Sequence, residues 1–184
     1  MSEFLIRAVA ADLAVDGRTI VGLAVPFGKV AEVSDNGRTS YREGFRRGSF
    51  ARTIAERGDR VRAHVNHQAL KLPIGKAVHL VELADGLESH LRVSQTAEGN
   101  DVLALVRDGV LSGLSVGFRP VRQATEAGVV WRHEVALREI SVVADGAYDD
   151  ARIAGVRALL LPAPTPRLAA ARRRLELLEL EINP

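Results

Sequence analysis

The sequence contains no cysteine. That excludes disulfides, thiolate nucleophiles and cysteine-based zinc sites, and it is compatible with a reducing compartment. Aromatic residues make up only 4% of the chain, so the core is expected to be built from Val, Leu, Ile and Ala, and few rings are available to stack on bases. No apolar run approaches the roughly 20 residues that a membrane-spanning helix needs. The opening MSEFLIRAVAADLAV lacks the basic region and long apolar stretch of a signal peptide, so a soluble protein is expected. Charge of one sign is also missing: 25 basic residues face 23 acidic ones, a net +2. Lysine occurs only at positions 29, 71 and 76, and the arginines are dispersed rather than gathered into the patch of a nucleic-acid binder. There is no H-E-x-x-H and no phosphate-binding loop. Asp149-Asp150 reads as a solvated loop, and no metal or cofactor is expected.

What the sequence does have is length and apolar content for one real core: 184 residues, 47% of them hydrophobic. Phe4 to Val9 and Thr19 to Phe27 read as strands joined by an Asp16-Gly17 turn. Val33 to Tyr41, with Ser-Asp-Asn-Gly, reads as an exposed loop, and Ser49 to Arg57 as a short helix capped by Ser49. Val61 to Asn66, Ile74 to Glu82 and Gly86 to Ser94 are further strands, the last preceded by an Ala84-Asp85-Gly86 turn. Thr96 to Asp108 has helical spacing, with Val102, Leu105 and Val106 on one face. Leu111 to Val121 and Val129 to Val143 complete the strands. The pattern predicts a mainly β protein with helical additions, a barrel or a sandwich. Pro162, Pro164 and Pro166 form a stiff linker at 161–167. Beyond it, Leu168, Ala171, Leu175, Leu178 and Ile182 share a helical stripe, so residues 168–184 are expected to form an amphipathic helix, docked on the domain or free to bind a partner.

Three residues stand out chemically. In Gly113-Leu114-Ser115-Val116-Gly117-Phe118, strand alternation puts Leu114, Val116 and Phe118 in one apolar row and Ser115 on the opposite face. The flanking glycines leave its hydroxyl uncrowded. Ser112 falls in the apolar row and is the weaker candidate. A serine needs a base. Among the five histidines, His67 continues the row of Val61, Ala63 and Val65, sheltered yet reachable, while His64 lies with Arg62 and Asn66 and is the second candidate. Glu139 shares a face with Val135, Leu137 and Val143 by alternation. A carboxylate in an apolar row needs a partner, either a histidine N–H or one of the arginines. His133 is on the same face and could orient a base as well.

These segments, in this order, resemble the prohead (procapsid maturation) proteases of tailed phages, which are related in fold to the herpesvirus assemblins. The resemblance rests on Val65-Asn66-His67 followed by Pro73-Ile74-Gly75-Lys76, on Gly113 to Phe118, on Glu139-Ile140-Ser141-Val142-Val143 and on Gly48-Ser49-Phe50, across about residues 20 to 155. It implies an antiparallel β-barrel of the herpesvirus-protease type flanked by helices, within a protease domain at 1–160. It implies His67 as base, Ser115 as nucleophile and Glu139 as orienting group, the last in place of the second histidine of assemblins. It also implies an oxyanion donor near Ala147. Where the family often has Pro-Ala, this chain has Gly146-Ala147-Tyr148, and Gln68 stands where an acidic residue is common.

The function implied is that of a serine endopeptidase. Its substrates would be the major capsid protein or the scaffold protein, cut inside the assembling procapsid in the host cytoplasm, for a phage or a prophage. Self-cleavage, for which the proline linker is an exposed place, and homo-oligomerisation are further expectations. Neither a membrane nor a specific nucleic acid is expected as a partner. The alternative is a non-catalytic capsid-assembly or scaffolding protein with the same barrel.

Overall fold

Turn chemistry and alternating apolar residues generate most of the strands. The computed structural model describes residues 17–34, 40–68, 70–144 and 153–157, which belong to one compact unit, Asp16–Ala158. The described elements are β1 (Thr19–Pro26), β2 (Val30–Val33), β3 (Tyr41–Phe45), α1 (Ala51–Arg57), β4 (Arg62–Val65), β5 (Gly75–Glu82), β6 (Gly86–Val93), α2 (Ala97–Arg107), β7 (Gly113–Glu126), β8 (Val129–Val143) and β9 (Ile153–Arg157). A 3-10 turn, Gly58–Arg60, separates α1 from β4. The expected strand at Phe4 to Val9, the linker at 161–167 and the helix at 168–184 lie outside the described residues.

The fold is mainly β with few helices, as the patterning predicts. Its strands form one sheet in the order β2, β3, β8, β4, β5, β6, β1, β9, with β7 pairing to β8. The expectation of an antiparallel barrel is corrected in strand direction. The sheet is mixed, because β3 and β4 both run parallel to β8. Two such short strands can share one edge of β8 because α1 carries the chain forward between them. Arg42 to Phe45 pair with Val129 to Arg132, and Arg62 to Val65 with Glu139 to Val142. Between those stretches the backbone of β8 would be left without partners, which burial does not tolerate. Helix α1 supplies them. The carbonyl of Ser49 accepts the N–H of Val135 at 2.9 Å. The Thr53 hydroxyl donates to the carbonyl of Val135 and accepts the N–H of Leu137, each at 3.1 Å.

Ser49 is therefore not the cap that its position suggests. The residue preceding α1 is Phe50, with no side-chain cap, and the Ser49 hydroxyl shares its one proton between the carbonyls of Arg46 and Arg132. The carboxylate of Glu82, on β5, instead accepts the N–H groups of Gly48 and Phe50 at 2.8 and 2.7 Å. Helix α2 does follow its local signal: Thr96 is the N-cap and accepts the N–H of Gly99 at 3.0 Å. Its buried face is Gly99, Val102, Leu103 and Val106; Leu105, expected inward, is 39% exposed.

The sheet curls around one core, and the isolated bridge from Phe27 to Phe45 ties the end of β1 to the end of β3. Ile20, Val25, Val61, Leu87, Leu91, Leu114, Leu137 and Ile140 are fully buried there. The phenylalanines among the described residues are concentrated rather than spread. Phe45 and Phe50 are buried and stacked at 5.4 Å, with Phe27 against Phe50 and Phe118 edge-on to Phe45. Such pairs contribute about 0.5–1.5 kcal/mol each beyond their burial. A two-residue turn, Ala127-Gly128, joins β7 to β8, and both residues have positive φ, as hairpin turns of matching twist require.

Candidate active site

Ser115 reaches its place by simple alternation. Leu114 is fully buried and Val116 packs against the core, so Ser115 points to the other face of β7. There it lies opposite Ser141 on β8.

Glu139 reaches the same face by a different route from the one alternation predicts. Val135 and Leu137 are core residues, but so are Ile140 and Val142, so the inward parity of β8 changes between positions 137 and 140. The pairing shows why: Gly117 faces Glu139 and the next residue, Phe118, faces Leu137, which leaves Arg138 as an extra residue in a bulge. The bulge turns Glu139 and Ser141 away from the core row and toward Ser115. The expectation that Glu139 shares a face with Val135 and Leu137 is thereby corrected.

His67 is not at the end of a continuing strand either. β4 stops at Val65, and Asn66 and His67 both have positive φ, 48° and 54°. The N–H of Gln68 returns to the carbonyl of Val65 at 3.0 Å, closing a tight turn of the mirror-image type that requires two left-handed residues. Asn is among the residues that tolerate this conformation, whereas for others it costs roughly 1–2 kcal/mol. Hydrogen bonds to β8 hold the turn: the N–H of Asn66 donates to the carbonyl of Val142 at 3.1 Å and that of His67 to the Ser141 hydroxyl at 3.0 Å.

The three side chains meet. Nδ1 of His67 lies 2.5 Å from Oε1 of Glu139, and its Nε2 lies 2.8 Å from the Ser115 hydroxyl. A carboxylate only accepts, so Nδ1 carries the proton, Nε2 presents its lone pair, and Ser115 donates to it. The second carboxylate oxygen, Oε2, accepts the hydroxyl of Ser141 at 2.7 Å. Glu139 is 13% exposed and His67 43%, so the acid is sheltered and the imidazole opens to solvent. The hydrogen bond to Glu139 raises the His67 pKa above its usual 6.5, against the opposing effect of burial. Gly117 makes the space: a Cβ there would stand 2.2 Å from Oε1 of Glu139. The glycines of this strand read as room for an approaching chain, yet this one accommodates the protein's own carboxylate.

The other candidates are not brought in. His64 is 6% exposed and sits beside Ser141 in register, but the Ser115 hydroxyl meets His67. Ser112 donates to the carbonyl of Ala144 at 3.0 Å. His133 lies toward the hairpin end of β8, beyond Val135. Ala147 lies outside the described residues. Sequence reasoning gave no role to Ser141, although a Glu-x-Ser spacing within a strand places both side chains on one face. An open cavity of about 610 Å³ lies near the hairpin end, lined by Tyr41, Pro120, Val121, Gln123, Val130 and Arg132. It contains none of the three residues. Among the described residues no cluster of three or more His, Asp or Glu could hold a metal ion, and no helix is long and apolar enough to cross a membrane.

A hydroxyl, an imidazole and a carboxylate in this order of contacts are the arrangement used by serine hydrolases. The family model described as caudovirus prohead serine protease matches residues 5–160, and the chain belongs to that family. Among solved structures it is similar to the bacteriophage T4 capsid assembly protease gp21, at 11% identity over 68% of this chain and 96% of that one, with a TM-score of 0.46. No curated protein matches.

Proposed function

We propose that this chain is a serine endopeptidase that cuts capsid protein or scaffold during prohead maturation, with Ser115 as nucleophile, His67 as general base and Glu139 as the group that orients it. The observation that carries this reading is the pair of contacts on one imidazole, 2.5 Å to Glu139 and 2.8 Å to Ser115. Membership of the prohead protease family supplies the substrate class.

The geometry performs the reaction as follows. Nε2 of His67 takes the Ser115 proton as the serine oxygen bonds to the scissile carbonyl carbon. Glu139 keeps the proton of His67 on Nδ1 and stabilises the imidazolium. The tetrahedral intermediate collapses, the C–N bond breaks, and His67 gives its proton to the departing amine. Water then enters by the same base and releases the acyl group from Ser115. Backbone donors to the oxyanion contribute about 3–4 kcal/mol each where measured. The resemblance assigns this role to Ala147. It also extends the reading to a barrel of the assemblin type and to self-cleavage, for which the proline-rich 161–167 segment is an exposed place; the helical stripe of residues 168–184 adds a separate helix beyond it.

The test is co-expression of the full chain with the capsid protein of the same genome, followed by mass analysis of the capsid ends. New termini are expected with the unaltered chain and none with Ser115→Ala. Identical cleavage by both would end the proposal.

A further inference from the structure

The reaction written above uses three side chains and leaves a fourth without a role. Ser141 is completely buried, stands opposite Ser115 across β7 and β8, and lies beside His64 across β4 and β8. Its hydroxyl oxygen accepts the backbone N–H of His67 at 3.0 Å and donates its proton to Oε2 of Glu139 at 2.7 Å. The other oxygen of that carboxylate is the one that meets Nδ1 of His67. A hydroxyl has one proton to donate and lone pairs to accept with, so both contacts can be satisfied at once.

We propose that Ser141 is a positioning residue that sets the base and its acid in register, holding the His67 turn by its backbone and the Glu139 carboxylate by its outer oxygen. The terminal torsion of a glutamate is broad and nearly two-fold, so the imidazole alone does not fix the plane of the carboxylate. A second contact on Oε2 does. The turn is a similar case. His67 adopts a left-handed backbone that few side chains favour, and its N–H is held by the same oxygen. One hydroxyl therefore couples two elements that arrive from different strands. Placement matters because an error of about 1 Å at a reacting group can cost on the order of 100-fold in rate.

This inference rests on the assignment of His67 and Glu139 made above, and its test separates the two. The full chain would be prepared unaltered, as Ser141→Ala and as Ser141→Cys. Cysteine keeps nearly the volume of serine but is a weak donor and acceptor. Three readouts apply: cleavage kinetics on the capsid protein, NMR titration of the His67 ring, and hydrogen exchange of the His67 amide in the unaltered chain. Both variants are expected to lower kcat about 10- to 100-fold with KM within about twofold. In both, the His67 titration should move down toward the ordinary histidine value as its contact with Glu139 loosens. The remaining titratable groups in register are His64 beside Ser141 and Arg62 beside Glu139, and neither is changed.

Unaltered kcat and an unaltered His67 titration in folded Ser141→Ala would overturn the inference. So would a Ser141→Cys protein indistinguishable from the unaltered one, since volume alone would then suffice. Should neither variant fold, the amide decides: slow exchange of the His67 N–H supports the contact, and free exchange refutes it. If Ser115→Ala still cleaves, the protease assignment fails on its own, while titration and exchange continue to report on Ser141.

Discussion

At Arg132, β8 holds a guanidinium that is 6% exposed against a Glu43 carboxylate that is 5% exposed, 2.6 Å away. Further along the same strand, at Glu139, it holds a carboxylate against an imidazole that is 43% exposed. In the first cluster both charged groups are buried. Arg132 also donates to Gln123 and to the Tyr41 hydroxyl, and it stacks 5.5 Å over Phe118. Its charge is permanent, because a guanidinium does not give up its proton in a protein. Such a cluster can fasten β3 to the β7–β8 hairpin, but it cannot move a proton. The second cluster uses an imidazole, a group that can take up and release a proton, and leaves one side of it open. Within one strand, burial with a fixed charge suits a fastening, and partial exposure with a titratable one suits the proposed reactive site.

Four substitutions or conditions test that contrast. The largest effect is expected at Ser115. Ser115→Ala should lower kcat/KM about 10⁴-fold or more while shifting unfolding free energy by less than about 0.5 kcal/mol, measured by cleavage kinetics and denaturant titration on the same preparation. Glu139→Gln comes next, with a loss of about 10²- to 10⁴-fold in kcat. The amide can donate to Nδ1, which moves the imidazole proton to Nε2 and removes the acceptor for Ser115. A ring NMR spectrum showing the Nδ1–H tautomer retained would contradict this. At the buried cluster the effect should appear in stability instead. Arg132→Met takes the guanidinium away from the buried Glu43 carboxylate and should cost about 3–5 kcal/mol in urea unfolding, with kcat of the remaining folded protein unchanged. Changing Glu43 to leucine in the same chain should recover much of that loss, and a double variant less stable than the single one would count against the fastening role.

The smallest effect is the pH dependence. His67 must be neutral to accept the Ser115 proton, and its pKa is raised by Glu139. Cleavage should therefore fall as pH drops through a value above 6.5, and Glu139→Gln should move that limb down. The sign for stability is the reverse. The proton that folded His67 holds more tightly stabilises the fold fully below the unfolded pKa of about 6.5, and this contribution is lost as pH rises through the raised folded value. A cleavage limb at or below 6.5 in the unaltered chain would break the link between the Glu139 contact and the working base.

Much of this was legible in the residues, and the failures have physical causes. The bounds of β8 at Val129 and Val143 follow from its apolar run, and the outward face of Ser115 follows from alternation. The face of Glu139 does not, because the bulge at Arg138 is set by pairing with β7 and leaves no local mark. A strand extended to His67 runs two residues past the end of β4, and the side chain that meets Glu139 and Ser115 is presented by a turn rather than a strand. The backbone leading into α1 is held by Glu82, far along the chain, and not by the hydroxyl of Ser49, which misleads. β2 is mostly exposed and is defined by its pairing with β3. The parallel pairings of β3 and β4 on β8 are likewise non-local, and a reading that counts local periods has no access to them.

The gap at Gly117 has a consequence for how such a chain can change over generations. The volume that a side chain would fill there is already filled by the carboxylate of Glu139. Substitutions at positions 117 and 139 should therefore be coupled. A residue with a β-carbon at the first would displace the carboxylate at the second from its place against His67. A comparison that scores only reactive groups would pass over Gly117, because its contribution to the site is the absence of atoms.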